Sequence, residues 1–363
     1  MNLLFSLALL GATVELYEDW YADHVGEASF AKPATGSTLY YDLKCELAER
    51  DLSVRNWDRK AHEPHLLTWK KVDGLKAFWN WLGFSLPTAS AFDPETSCIV
   101  FTNLGVHLRD LNLGKLPKEK LVLIMLESPA VQPELYDPEV HNWFDRIYTW
   151  DDDLVDNIRY FKCYPFYKHD PLPSFVPYKE RKFLTFIVGR LSSHHPKELY
   201  SERERLIRFF EARPEIEFDL YGRYWEKRRF RCWKGAISGP QGDMEEKLHV
   251  LKQYKFAFAY ENTRDTKGYI TEKLFDCFAT GVVPIYWGAS NITDYVPADC
   301  FIDRRHFKDN EELLAFLQAM PQETWEGYVA RGQAYLKTEM ANRFTVQNYL
   351  RCIVEAATAT TLR

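Results

Sequence analysis

The chain has 363 residues, of which 46% are apolar and 27% charged; this is globular composition and excludes a disordered or low-complexity protein. That length exceeds what one hydrophobic core usually serves, so two domains are expected. A net charge of −6 argues against a broad nucleic-acid surface, which needs a basic face, but leaves room for a local basic pocket that takes a diphosphate.

The chain opens MNLLFSLALLGATVELYEDW. Its apolar run of about a dozen residues is too short to span a bilayer and lacks the basic start of a signal peptide. A buried first segment of the fold is the preferred reading; a cleaved or truncated membrane signal is the alternative. TLYYDLKCELAER (38–50) has the apolar spacing of a helix. CIVFTNL (98–104) reads as a buried strand, LGVHLRDLNLG (105–115) as a turn and short segment, and KLVLIMLESP (120–129) as a second strand that breaks at Glu127 and Pro129. RIYTW (146–150) reads as a third. Asp151, Asp152 and Asp153 follow, ahead of LVDNIRYF, which reads as a helix; carboxylates capping its N-terminus explain the triplet. Mg²⁺ or Mn²⁺ held through the same oxygens is the competing reading.

Four prolines in YPFYKHDPLPSFVPYKERK (164–182) mark a linker. Beyond it come a strand FLTFIVGR (183–190), a helix ERERLIRFFEAR (202–213), a strand EIEFDLYG (215–222) and a helix EEKLHVLKQY (245–254). NEELLAFLQAM (310–320), WEGYVARGQAYLKTE (325–339) and the tail NYLRCIVEAATA are helical in pattern. Such alternation predicts parallel, doubly wound sheets. The expected division is a first α/β domain over 1–165, a linker over 166–182, a second α/β domain over 183–345, and a C-terminal helix over 346–363 that packs back toward the first.

Seven cysteines, widely spaced and without a CxxC pair, do not make a zinc site or a disulfide framework. Several lie in apolar runs and read as small buried hydrophobes; a reducing compartment suits them, so a cytoplasmic protein is expected, with the Golgi lumen as the alternative if an N-terminal anchor has been lost. Peripheral membrane association stays open. His194 and His195 are adjacent and lack ligand spacing. The Asn291-Ile292-Thr293 sequon matters only in a secretory protein.

The most informative stretch is FAFAYENTRDTKGYITEKLFDCFATGVVPIYWG (256–288). An apolar strand runs into a polar turn with Glu261, Asn262, Arg264, Asp265 and Lys267. A helix opens near Thr271 with Glu272 and Lys273 in its first turn, Gly281 closes it, and VVPIYWG is the next strand. In open α/β sheets ligands bind at the ends of such strands, and a helix N-terminus suits phosphate. A carboxylate beside an ammonium suits a ligand with hydroxyls and phosphates, such as a nucleotide sugar. Glu127, at the end of its strand, is placed as a catalytic carboxylate would be; a helix cap or a surface ion pair is the plainer alternative.

The strings Tyr260-Glu261-Asn262, Gly268 to Lys273 and Val283 to Gly288 closely resemble the donor-binding motif of the alpha-1,3-fucosyltransferases, glycosyltransferase family 10. The resemblance extends through 199–211, 218–225, 248–262 and 295–305, and upstream to LESP (126–129), covering about residues 95 to 340. It implies the GT-B architecture, two Rossmann-like domains facing a central cleft. It implies inverting transfer of L-fucose from GDP-fucose to a hydroxyl of an oligosaccharide acceptor, with an alpha-1,3 linkage and an N-acetylglucosamine-containing acceptor, and with no metal or other cofactor. On this resemblance Glu127 is the base, Arg203 contacts the diphosphate, Lys273 is a second phosphate contact, and Glu272 holds the ribose hydroxyls. Asn262 and Tyr269 are further donor contacts. Many members carry Ser-Asn after the strand FLTFIV, where this chain has Gly189-Arg190. Arg190 is either another phosphate contact or an exposed charge, and Ser193 or its neighbour Ser192 is a substitute contact. The departure leaves two alternatives open: a related enzyme using another nucleotide sugar, and a non-catalytic sugar-binding relative.

Overall fold

The computed structural model describes residues 12–18, 52–56, 96–102, 117–165, 170–172, 174–237 and 244–361. They form two compact units. One holds the described residues up to Thr149 together with 154–163 and 350–361; the other holds 150–153 and 164–349. Each is built on a six-stranded sheet, and every pairing is parallel, as the alternating elements predict.

The first sheet consists of β1 (Ala12–Glu18), β2 (Leu52–Asn56), β3 (Thr96–Thr102), β4 (Leu121–Met125), β5 (Arg146–Thr149) and β6 (Tyr160–Lys162). Their order is β2-β1-β3-β4-β5-β6, so the opening segment of the chain supplies an interior strand. All of β4 is buried, which is why it reads as one unbroken apolar run. Phe101, Leu121, Leu123 and Met125 pack with Leu135, Val140, Phe144 and Ile147. The helix expected at 38–50 and the segment 105–115 lie outside the described residues.

The helix expected in LVDNIRYF is not formed. The Asp156 carboxylate accepts the backbone N–H groups of Ile158, Arg159 and Tyr160, and Asn157 sits at φ 58°. An aspartate that binds the backbone ahead of it competes with helix formation. The chain turns there and enters β6. The acidic triplet therefore does not cap a helix.

The second sheet has β7 (Lys182–Ile187), β8 (Phe218–Tyr221), β9 (Trp233–Gly235), β10 (Tyr254–Tyr260), β11 (Val283–Trp287) and β12 (Ile302–Asp303). The helices between and after them are α1 (Tyr200–Glu211), α2 (Met244–Leu251), α3 (Glu272–Thr280), α4 (Asn310–Ala319) and α5 (Gln322–Tyr335); α6 (Val346–Thr361) ends the described chain. The order β12-β11-β10-β7-β8-β9, counted from this sheet's own first strand, is the 3-2-1-4-5-6 order of dinucleotide-binding sheets. Its direction reverses between β7 and β10, where ligands bind in such folds. The alternation in FAFAY sorts the two faces of β10. Phe256, Phe258 and Tyr260 join the core with α1 and α4, while Ala257 and Ala259 face the other way. The small alanines let α3 bring Leu274, Phe275 and Phe278 close to the strand.

Beside the end of β7, Gly222 follows β8 with φ 130°, and a Cβ placed on it would lie 2.0 Å from the Val188 carbonyl oxygen. Neither the backbone angle nor the contact can relax without moving the end of β7. Gly222→Ala is expected to lower stability by about 3 kcal/mol or more, read as a fall in the urea midpoint at unchanged slope. A midpoint like that of the wild type would show that the two strand ends are not so tightly joined.

Candidate donor site

The site begins with a buried cation at the sheet's reversal point. Arg203, in the first turns of α1, is 3% exposed. Its Nη2 donates to the Tyr260 carbonyl at 2.7 Å and to Asn262 Oδ1 at 2.9 Å, and its ring neighbour is Tyr200 at 5.0 Å. Its Nε is buried without a hydrogen-bond partner. Burial holds its pKa below the ordinary value, against the pull of Tyr200 and Glu261, but a guanidinium stays charged. A buried planar fork with an unfilled donor is suited to an anionic oxygen. Arg205, by contrast, is exposed and pairs with Glu202, as its place on the helix predicts.

Asn262 is oriented from both sides. With Oδ1 turned to Arg203, its Nδ2 donates to the Tyr269 hydroxyl at 3.2 Å. Tyr269 is buried and its ring lies 4.6 Å from Trp150. Arg203 of α1 and two residues of the loop between β10 and α3 thus form one hydrogen-bonded row.

The second cation centre is the start of α3. Thr271 is the N-cap, yet its side chain does not cap the helix. Its N–H and Oγ1–H both donate to the Glu261 carboxylate, at 2.8 and 2.7 Å. The Thr271 side chain therefore does not satisfy the first N–H groups of the helix. Glu261 is fully buried and also receives Lys273 Nζ at 3.2 Å. Gly288 makes room for it, since a Cβ there would lie 2.5 Å from Glu261 Cγ. Glu272 lies 3.5 Å from both Lys273 and Lys247, and Lys247 pairs with the buried Asp276 at 2.6 Å. Burial alone would raise the Glu272 carboxyl; Lys273 and Lys247 outweigh it and hold the group ionised, well below the usual carboxylate range. Likewise burial would lower Lys247, but Asp276 and Glu272 outweigh it and raise its pKa. Two lysines therefore stand among three carboxylates, paired with them before any ligand arrives.

Glu261, Lys247 and Asp276 are missing from the sequence-predicted set. Glu261 lies inside the motif. Asp276 is four residues after Glu272, so both fall on one helix face. Nothing in the sequence brings Lys247 of α2 to them.

The two substitute contacts have local partners. Arg190 Nε lies 3.3 Å from Glu204, and Ser193 Oγ accepts the His195 N–H at 3.2 Å. Within the triplet, Asp151 accepts the Asp153 N–H, Asp152 accepts from Asn291 and Tyr295, and Asp153 pairs with Lys267 at 2.6 Å. No group of three or more His, Cys, Asp or Glu side chains among the described residues is placed to hold a metal ion. No helix among them is long and apolar enough to cross a membrane. In the first unit, Glu127 follows β4 and is half-buried; its carbonyl accepts the Tyr136 hydroxyl at 2.9 Å.

Residues 178–351 match the family model described as glycosyltransferase family 10 (fucosyltransferase), C-terminal part. That match makes this stretch a family 10 fucosyltransferase domain. The matched region holds the whole charged cluster and Asn262 and Tyr269; Glu127 lies upstream of it. Among curated relatives, the chain is 26% identical over 318 residues to the GDP-fucose protein O-fucosyltransferase 3 of Rattus norvegicus, covering 80% of this chain and 61% of that one. It is also 26% identical to the 4-galactosyl-N-acetylglucosaminide 3-alpha-L-fucosyltransferase 9 of the same species, over 80% and 77% of the two chains. The chain spans less than two thirds of the length of the first curated relatives it matches, from 18% to 63% of each. A solved alpha1,3-fucosyltransferase with GDP shares the fold at TM-score 0.53 and 14% identity, over 96% of this chain and 91% of that one. The chain has the parallel α/β fold of GT-B glycosyltransferases.

Proposed function

We propose that this family 10 protein is an inverting fucosyltransferase that moves L-fucose from GDP-fucose to a hydroxyl of a glycan acceptor. The observation that carries the reading is Arg203. It is a buried guanidinium with an unfilled Nε at the reversal point of a nucleotide-binding sheet, joined through Asn262 to Tyr269. An anion is what such a group lacks, and a sugar diphosphate supplies it. In this reading Arg203, Lys273 and the N-terminus of α3 take the diphosphate, and Glu272 accepts the ribose hydroxyls. Glu127 takes the proton of the acceptor hydroxyl as that oxygen bonds the anomeric carbon. The bond from that carbon to the diphosphate oxygen breaks, and GDP leaves with the electron pair, stabilised by the fixed cations.

The test is transfer by the purified protein, with products read by mass spectrometry. GDP-fucose is offered with N-acetyllactosamine and, because one relative is a protein O-fucosyltransferase, with folded peptide modules. One added deoxyhexose on N-acetyllactosamine is expected. Transfer only to the peptide would redirect the acceptor. Transfer only from another nucleotide sugar would overturn the donor, and no turnover of any donor would leave a binding protein.

In this reading the site's own cations do the work that a metal ion would otherwise do at the leaving diphosphate. Transfer is therefore expected to persist in excess EDTA, with initial rates within about twofold of the untreated protein, since fixed cations can stabilise the leaving diphosphate. Complete loss with chelator, restored by Mn²⁺, would return the acidic triplet to a metal role.

A further inference from the structure

The acidic triplet, the sequon and the strap Trp150–Asp153 are unused by the mechanism above, and they meet at the donor loop. The strap packs with the second unit although the residues on either side of it belong to the first. It touches the loop between β10 and α3 in three ways. The Trp150 ring lies against Tyr269, the Asp152 N–H donates to the Lys267 carbonyl at 3.3 Å, and Asp153 pairs with Lys267.

A fourth link runs through Asn291. Its Oδ1 accepts the Gly268 N–H at 2.9 Å, and its Nδ2 donates to Asp152 Oδ2 at 2.9 Å. Tyr295 donates to the same carboxylate at 2.7 Å. The orientation of this amide is forced. A backbone N–H only donates and an ionised carboxylate only accepts, so nitrogen faces Asp152 and oxygen faces Gly268. Gly268 is at φ 81°, a turn conformation open to glycine but one of several it can take, and Tyr269 is the next residue.

We propose that Asp152 and Asn291 are positioning residues of the donor site: the carboxylate orients the amide, the amide holds Gly268, and the held turn presents Tyr269 to the nucleotide sugar. This rests on the donor reading above. The sequon nitrogen is committed to the fold by the same contact. The charge of the triplet's middle residue is used to sort donors and acceptors.

The pair can be exchanged. Asn291→Asp sets two carboxylates face to face, and Asp152→Ala removes the orienting group. Each is expected to raise the GDP dissociation constant and the KM for GDP-fucose by about tenfold, with a smaller change in kcat, as for a lost charged hydrogen bond. In the double variant D152N/N291D the new amide donates to the new carboxylate, whose other oxygen takes the Gly268 N–H. Both constants should return to within about threefold of the wild type, the non-additivity of a coupled pair. Hydrogen exchange of the 264–271 peptide, in protein without ligand, should quicken in Asn291→Asp and slow again in the double variant. A double variant no better than Asn291→Asp, or single variants that bind GDP and exchange like the wild type, would overturn the proposal. A misfolded single variant does not rescue it, because recovery in the double variant is still required. If the wild type ignores GDP, the donor reading fails; the exchange experiment then still decides whether the pair holds the turn.

Discussion

Glu127→Gln is expected to lower the turnover of fucosyl transfer by roughly 10²-fold or more, the scale on which a positioned general base acts. The substitution keeps the shape of the side chain and removes only its ability to take a proton. Because Glu127 follows β4 in the first unit while the proposed nucleotide-sugar contacts lie in the second, GDP affinity should stay within about twofold, as expected when the changed group acts on the acceptor and not on the donor. Steady-state kinetics with saturating GDP-fucose, beside calorimetry with GDP, separates the two quantities. Turnover near the wild-type value would remove Glu127 from the reaction. Loss of GDP affinity together with turnover would make it structural.

The second large effect is expected at the cations. Arg203→Ala and Lys273→Ala should each weaken GDP by roughly tenfold or more, since a hydrogen bond to a charged group contributes about 1.5–3 kcal/mol. The loss should shrink for guanosine, which has no phosphates. Glu272→Ala should weaken both ligands, because guanosine keeps the ribose. The geometry adds a control. Arg203 also holds the Tyr260 carbonyl and Asn262, and Lys273 is tied to the buried Glu261. Removing either therefore disturbs a neighbour as well as a ligand contact, and Arg203→Lys is the milder companion, keeping the charge but not the fork. Calorimetry with GDP and guanosine on these variants decides the matter. If Arg203→Ala and Lys273→Ala weakened guanosine as much as GDP, the effect would come from the disturbed neighbours and not from phosphate.

How far the sequence reaches depends on the range of the interaction. The strands at 98–104, 120–129 and 256–260 are legible because burial on both faces, or strict alternation, writes a long enough signal. Gly281 marks the end of α3, where it sits at φ 65°, because only a residue without a side chain takes that angle cheaply. By contrast β6, β9 and β12 are three, three and two residues long, too short to carry a period. The false helix at 154–161 fails for a different reason. Apolar spacing was present, but Asp156 spends its carboxylate on the backbone of the next residues, and that competition is decided by one side chain rather than by a pattern.

The same division holds within the site. The sequence by itself determined which residue types gather at the strand end and helix start: Glu261, Asn262, Tyr269, Glu272 and Lys273 lie within one strand–loop–helix unit, so local geometry alone brings them near each other. It also predicted that the flanking strands are parallel, whereas the need for Gly288 to stay small beside Glu261 shows only in the fold. Only the tertiary structure decided that Arg203, Lys247 and Trp150 join them, because those contacts cross from 25 to 119 residues of chain and depend on strand order. The reversal between β7 and β10 sets α1 beside the end of β10, and no local propensity encodes which strand becomes a neighbour. Charge sorting is likewise a tertiary fact. Glu272 is held ionised by two lysines, one adjacent in sequence and one from another helix, and burial strengthens both interactions only after the fold has excluded water.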